Sequence, residues 1–176
     1  MKTKVKSSFN TLLIILLLIY NAQQVLGQEK VNVTTGFGLP ELLNIGIKYQ
    51  HNQTQIGLSI GSLPLGSEEN IISISSDIYY HFGGFSELTN VRPWYGRIGV
   101  NYLRDETEYI IDKYVFLNAR VGRDINISKK IGIQIGMGAL FQLHNERVEK
   151  KPSSGWNFDL EFPVLPSLGI ALFYRI

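Results

Sequence analysis

Residues Ile131–Leu143 read IGIQIGMGALFQL. Ile131, Ile133, Ile135, Met137, Ala139, Phe141 and Leu143 occupy alternate positions, and Gly132, Gln134, Gly136, Gly138 and Gln142 occupy the others, with Leu140 the exception. A period of two places these sets on opposite faces of a β-strand. A strand of this length is long beside the about five or six residues usual in soluble sheets, yet it suits a tilted strand crossing a bilayer, which needs about 9–11. A soluble sandwich would turn the apolar face toward a matching sheet. Here the other strands repeat the same pattern, so the apolar face is read as facing lipid and the glycine-and-amide face as facing inward.

Seven further segments alternate in the same way. Lys30–Gly38, Asn44–His51, Thr54–Ser62 and Ile71–Phe82 precede Trp94–Leu103 and Lys113–Arg123, and Ser167–Ile176 closes the chain. Pro40 interrupts the first pair, since proline cannot donate to a strand ladder, and Asn52-Gln53 is a two-residue turn. Eight strands, an even number, fit an antiparallel up-and-down transmembrane β-barrel. With both termini periplasmic, the outer connections fall around Pro40 and at 63–70, 104–112 and 144–166; the periplasmic ones are 52–53, 83–93 and 124–130. Trp156–Phe162 also alternates, as an extension of the last strand or an additional segment over the mouth. Tyr49, Tyr80, Phe82, Trp94, Tyr102, Tyr114, Phe141 and Tyr174 lie near strand ends, where interfacial girdles place aromatics.

Residues 1–27 read as a secretory signal peptide. Lys2, Lys4 and Lys6 precede an apolar core from Leu12 to Ile19, followed by Val25-Leu26-Gly27. That core is too short to span a bilayer, for which about 20 residues are needed. The remaining domain, 28–176, then holds fourteen Lys and Arg against fifteen Asp and Glu, a net charge of −1, so the basic balance belongs to the leader and implies no nucleic-acid partner. The chain has no Cys, which excludes a lipoprotein anchor and a disulfide-stapled domain. A closed barrel supplies stability instead, because every backbone group pairs with a neighbouring strand.

An eight-stranded barrel is just wide enough for side chains to fill it. Lys48, Asp77, Tyr79, Arg97, Arg120, Gln134, Gln142 and Arg175 fall on inward positions, and buried charges must pair. They are read as an internal salt-bridge and hydrogen-bond network rather than a solute path. Cations outnumber anions in this set, so a carboxylate is missing; Asp124, Glu161 or water could supply it.

Catalytic readings are weak. Of three His, only His144 lies at the outer rim, without an adjacent Ser, and it is read as a solvated residue rather than a lipid-cleaving base. Asp105, Glu106, Glu108 and Asp112 lack calcium-loop spacing and read as a solvated acidic loop. The glycines at 132, 136 and 138 lack a dinucleotide fingerprint and relieve crowding inside the barrel. Asn32-Val33-Thr34, Asn52-Gln53-Thr54 and Asn126-Ile127-Ser128 match the N-glycosylation pattern, but Asn32 would lie inside a wall. No enzyme, metal or cofactor is expected.

With this pattern, the segment RPWYGRIGVNYLRD (92–105) and the closing LPSLGIALFYRI (165–176), the chain resembles the small outer-membrane β-barrel families of Gram-negative bacteria, the OmpA-transmembrane-domain and OmpX-like group, over 28–176. The resemblance implies outer-membrane lipid as surroundings. It also implies recognition of the last strand by the barrel-assembly machinery, with Ile176 in place of the usual terminal aromatic and Tyr174 two residues before it. Function is expected in the exposed loops 104–112 and 144–162, through an extracellular ligand or partner. The alternative is a soluble periplasmic or secreted lipocalin-like barrel, its apolar face turned inward around an apolar ligand.

Overall fold

A computed structural model describes residues 30–63, 70–150 and 164–176. The leader expected at 1–27, the segment Trp156–Phe162 and Glu161 lie outside the described residues.

Eight strands form one closed antiparallel barrel in chain order: β1 (Val31–Leu39), β2 (Leu42–His51), β3 (Thr54–Leu63), β4 (Asn70–Gly83), β5 (Trp94–Glu106), β6 (Ile110–Asn126), β7 (Ile131–Glu149) and β8 (Val164–Arg175). β8 closes on β1 with Tyr174 opposite Val33 and Leu172 opposite Thr35. Closure leaves no sheet edge through the body of the barrel. The end where β1 begins and β8 finishes is called the base, and the opposite end the mouth.

The alternation sorts side chains as the pattern predicts. Ile45, Leu58, Ile60, Ile78, Ile98, Val121, Ile135 and Ile170 are exposed on the outer wall, whereas Lys48, Asp77, Tyr79, Arg97, Arg120, Gln134 and Arg175 are buried inside. Leu140, the exception in the alternation, is buried with Phe116 in the upper lumen. Inward glycines make room for large neighbours. A Cβ on Gly122 would stand 2.2 Å from the Tyr95 hydroxyl, and one on Gly132 would stand 2.3 Å from the Phe173 ring.

Three strands run farther toward the mouth than the apolar alternation suggests. β5 and β6 are joined by 107–109 alone, and β7 continues through Glu149. The expected loop 104–112 is therefore mostly a β-hairpin, and the first residues of the expected loop 144–162 are strand. The reason is that backbone pairing persists after the apolar pattern stops, with Asp112 opposite Arg147 and Lys113 opposite Glu146. A bulge at Leu143 of β7, which has no partner between Val115 and Phe116 of β6, marks the change. At the base, β6 likewise continues to Asn126, shortening the expected 124–130 turn to 127–130.

Candidate functional site

The candidate site is the filled lumen, and its centre is a carboxylate absent from the expected set. Pro40 and Glu41 form the two-residue turn between β1 and β2 at the mouth, and Pro40, Glu41 and Leu42 are all buried. The turn folds inward instead of standing above the rim, and Leu42 adopts a positive φ of 62° to make that bend. Glu41 Oε2 accepts from Arg120 Nη2 at 2.7 Å, Oε1 accepts from Asn118 Nδ2 at 2.9 Å, and Oε1 also accepts from Arg97. Arg97 in turn reaches Asp77 Oδ1 at 2.8 Å. Arg120 further donates to the Leu168 carbonyl at 3.1 Å and to Ser167 Oγ. This supplies the anion that the inward cations lack, and it ties β1–β2 to β4, β5, β6 and β8 through one carboxylate.

Toward the base, Lys48 donates to Gln134 Oε1, and Gln134 Nε2 donates to Asp124 Oδ1 at 2.9 Å. Asp124, one of the candidates for the missing partner, thus joins the network. The Lys48 ammonium lies 4.1 Å from the centroid of the Tyr79 ring, a desolvated cation–π contact. Tyr95 packs between Tyr79 and His81, with both ring centroids at 5.6 Å, and its hydroxyl donates to the Ile135 carbonyl at 3.2 Å. Arg175 closes the base, donating to Asn126 Oδ1 at 2.8 Å and to the Lys129 carbonyl at 2.9 Å. Seven of the eight expected residues therefore share this interior. Gln142 is the exception: it lies half-buried beside the β7 bulge, near the mouth, away from the others.

The space left over is small. A cavity of about 40 Å³ is bordered by Glu41, Lys48, Asp77, Tyr79, Arg97 and Arg120. That admits a few waters, each needing at least about 10–15 Å³.

At the mouth, the acidic hairpin is ion-paired. Arg104 meets Glu106 at 2.7 Å, Lys150 meets Glu106 at 2.5 Å, Arg147 meets Asp112 at 2.8 Å, and Lys113 meets Glu146 at 3.2 Å. The hydrogen bond from Lys150 holds the Glu106 carboxyl below its usual range, with Arg104 acting in the same direction. Among the described residues, no group of three His, Asp or Glu could hold a metal ion. His144 is exposed on β7. Tyr114, near the mouth end of β6, lies on the inward face that its place in the strand alternation gives it and stacks on Phe116, with centroids 5.7 Å apart.

No protein-family model matches the chain, and no curated protein sequence does. Among solved structures, the chain is similar to the crystal structure of Neisserial surface protein A, at 10% identity and a TM-score of 0.46, covering 84% of this chain and 95% of that one.

The site residue that sequence reasoning missed is Glu41. The only sequence signal was its place beside Pro40 between two inward-alternating strands, which locates a turn at the rim without saying which way its side chain points.

Proposed function

We propose that the protein is a non-enzymatic integral outer-membrane barrel with a plugged interior, whose role is exerted at the hairpin and connections of the mouth. One observation carries this reading. Lys113 and Arg123 are both outward on β6, ten residues apart, and between them the outward positions are Val115, Leu117, Ala119 and Val121. At about 3.3 Å per residue and a tilt of about 40°, that uncharged interval is about 25 Å tall. This is the height of the apolar band of a membrane barrel, and Trp94, opposite Arg123, and Tyr102, opposite Val115, stand at its two edges. An uncharged wall of this height is unfavourable in water and favourable in lipid.

Paired charges inside support the same reading. The lumen is crossed by Glu41 and the two arginines, which favours a structural plug over a solute path. In the lipocalin-like alternative, large apolar residues line a ligand cavity of about 300–1,000 Å³. Here those residues point outward and the lumen is polar with about 40 Å³ free, so the alternative is set aside. Insertion through the assembly machinery, with β8 as the recognised strand, belongs to this proposal, as does an extracellular partner at the mouth.

Membrane fractionation with a heat-modifiability gel tests it. Recovery in the outer membrane with a mobility difference between boiled and unboiled samples is expected. A soluble protein without that difference would overturn it.

A further inference from the structure

Closure of the barrel depends on two strands that no turn connects. The β1–β8 ladder runs only from Asn32 opposite Arg175 to Leu39 opposite Leu168. The β1–β2 ladder is as short, but its strands are joined by the two-residue turn at Pro40 and Glu41. At the base, backbone carries the seam one step further, with the Ile176 N–H donating to the Val31 carbonyl at 2.8 Å. At the mouth it stops at Leu39, and β8 continues to Val164 paired with β7 alone among the described residues. Sheets open locally where backbone pairing ends.

The inner face of the seam is bare near that end. Its two inward pairs toward the mouth are Gly36 with Ala171 and Gly38 with Gly169, so nothing larger than a methyl group crosses it there. Instead, the guanidinium of Arg120 reaches over from β6. A Cβ on Gly169 would stand 2.6 Å from Arg120 Nη1, and one on Gly38 would stand 3.1 Å from Glu41 Oε2. Arg120 Nη2 donates to the Leu168 carbonyl of β8 at 3.1 Å and to the Leu39 carbonyl of β1, the two residues of the last rung, while Nε donates to Ser167 Oγ. Ser167 Oγ is itself 3.1 Å from the Leu39 carbonyl and 2.8 Å from Asn118 Oδ1. Arg120, Ser167 and Asn118 are all buried. The lumen cavity borders the same stretch through Gly169, Ile170 and Ala171.

We propose that the mouth end of the β1–β8 seam is the joint at which this barrel parts first, and that Arg120 is the latch that holds it. With one guanidinium bonded to both carbonyls of the last rung, the strands cannot separate there without breaking charge-assisted bonds. The counter-ion Glu41 stands in the turn at the end of β1, so the ion pair keeps the guanidinium over the seam. Parting at this joint opens the wall laterally and joins the lumen cavity to the surroundings between Phe37 and Ile170. The latch needs only the closed barrel and stands apart from the membrane reading.

Hydrogen exchange on the full mature chain, folded in detergent micelles and read residue by residue, tests it. Amides of Phe37 and Ile170 report the seam, and those of Ser59 and Ser75 report the β3–β4 ladder. In Arg120→Gln the seam amides are expected to exchange about tenfold faster or more, the loss of at least one hydrogen bond to a charged group, with a smaller change at Ser59 and Ser75. Ser167→Ala, which keeps every charge, is expected to act on the seam in the same direction and more weakly. Arg120→Lys keeps a charge beside Glu41, but a compact ammonium lacks the fork that spans both strands, so the seam amides are expected to stay fast. Equal acceleration in the two ladders would show that Arg120 supports the lumen as a whole and would overturn the latch. Unchanged seam exchange in Ser167→Ala together with Arg120→Gln would overturn it as well. If Arg120→Gln does not fold, Ser167→Ala decides by the same comparison of the two ladders.

Discussion

Glu41 Oε2 and Arg120 Nη2 meet at 2.7 Å in the lumen, although 79 residues of chain separate them. The contact joins the shortest connection at the mouth to the middle of the longest barrel hairpin. Both side chains are nearly removed from solvent; Glu41 also meets Arg97, whereas Glu41 is the one carboxylate that pairs with Arg120 among the described residues. Removing one partner of a buried pair costs about 3–5 kcal/mol, because the remaining charge stays desolvated. Glu41→Gln is therefore expected to lower stability by about that amount, read as an earlier midpoint of urea unfolding by tryptophan fluorescence. Combining it with Arg120→Gln should recover part of the loss, since Arg97 keeps Asp77. A single variant as stable as the unaltered barrel would show that the carboxylate is not the plug's counter-charge.

Glycine positions separate the two faces. A Cβ at Gly122 would meet the Tyr95 hydroxyl at 2.2 Å and the Ile135 carbonyl oxygen at 2.4 Å, whereas one at Gly96, on the outer wall, meets nothing within 4 Å. Gly122→Ala is expected to cost about 1–3 kcal/mol through overpacking. Gly96→Ala should be neutral or gain up to about 1 kcal/mol by restricting the unfolded chain. Thermal loss of the unboiled gel band measures both, and equal effects would contradict the assignment of faces.

Much of this arrangement was legible because the two faces of each strand differ so sharply in polarity. Lys48, Arg97, Arg120 and Arg175 could be placed inside by parity alone, since a one-residue slip would put each of them in the apolar wall. Glu41 could not, because it belongs to a turn and parity says nothing about where a turn folds. The extent of β5, β6 and β7 was missed for a related reason. Once strands rise past the apolar band, both faces meet water, and pairs such as Asp112 with Arg147 erase the alternation while backbone pairing continues. Gln142 follows the alternation but sits opposite Phe116, just before the β7 bulge, nearer the mouth than the charged network.

The outer wall can be tested by charge. Ile98 is 52% exposed midway between Trp94 and Tyr102 on β5. In lipid, Ile98→Arg should cost about 2–4 kcal/mol, the penalty for arginine near the bilayer midplane. On a wall facing water the same change would be within about 0.5 kcal/mol. Tyr109→Arg, in the turn beyond the band at the mouth, should change stability little in either case. Folding yields and unfolding midpoints of the two variants in vesicles distinguish lipid from water as the solvent of this surface.

The hairpin at the mouth should respond to pH through Glu106. Its carboxyl lies below the ordinary value of 4.5, first because Lys150 donates a hydrogen bond to it and also because Arg104 is near. A carboxyl depressed in the folded state contributes order that is present above its unfolded value and is lost as pH falls through its folded value. Lys150 also donates to the Thr107 carbonyl at 3.0 Å, and its backbone N–H donates to the Tyr109 carbonyl at 2.7 Å, so loosening Glu106 removes one of several ties between the turn and the end of β7. Amides of Thr107 and Ile110 are expected to lose protection relative to band amides such as Ile98 as pH falls below the ordinary glutamate range. Higher salt at neutral pH should act in the same direction, because these charges are solvent-exposed. Glu106→Gln should flatten the pH response while leaving the band amides unchanged. Turn protection that is constant from neutral to acidic pH would mean that the ion pair does not hold the hairpin to β7.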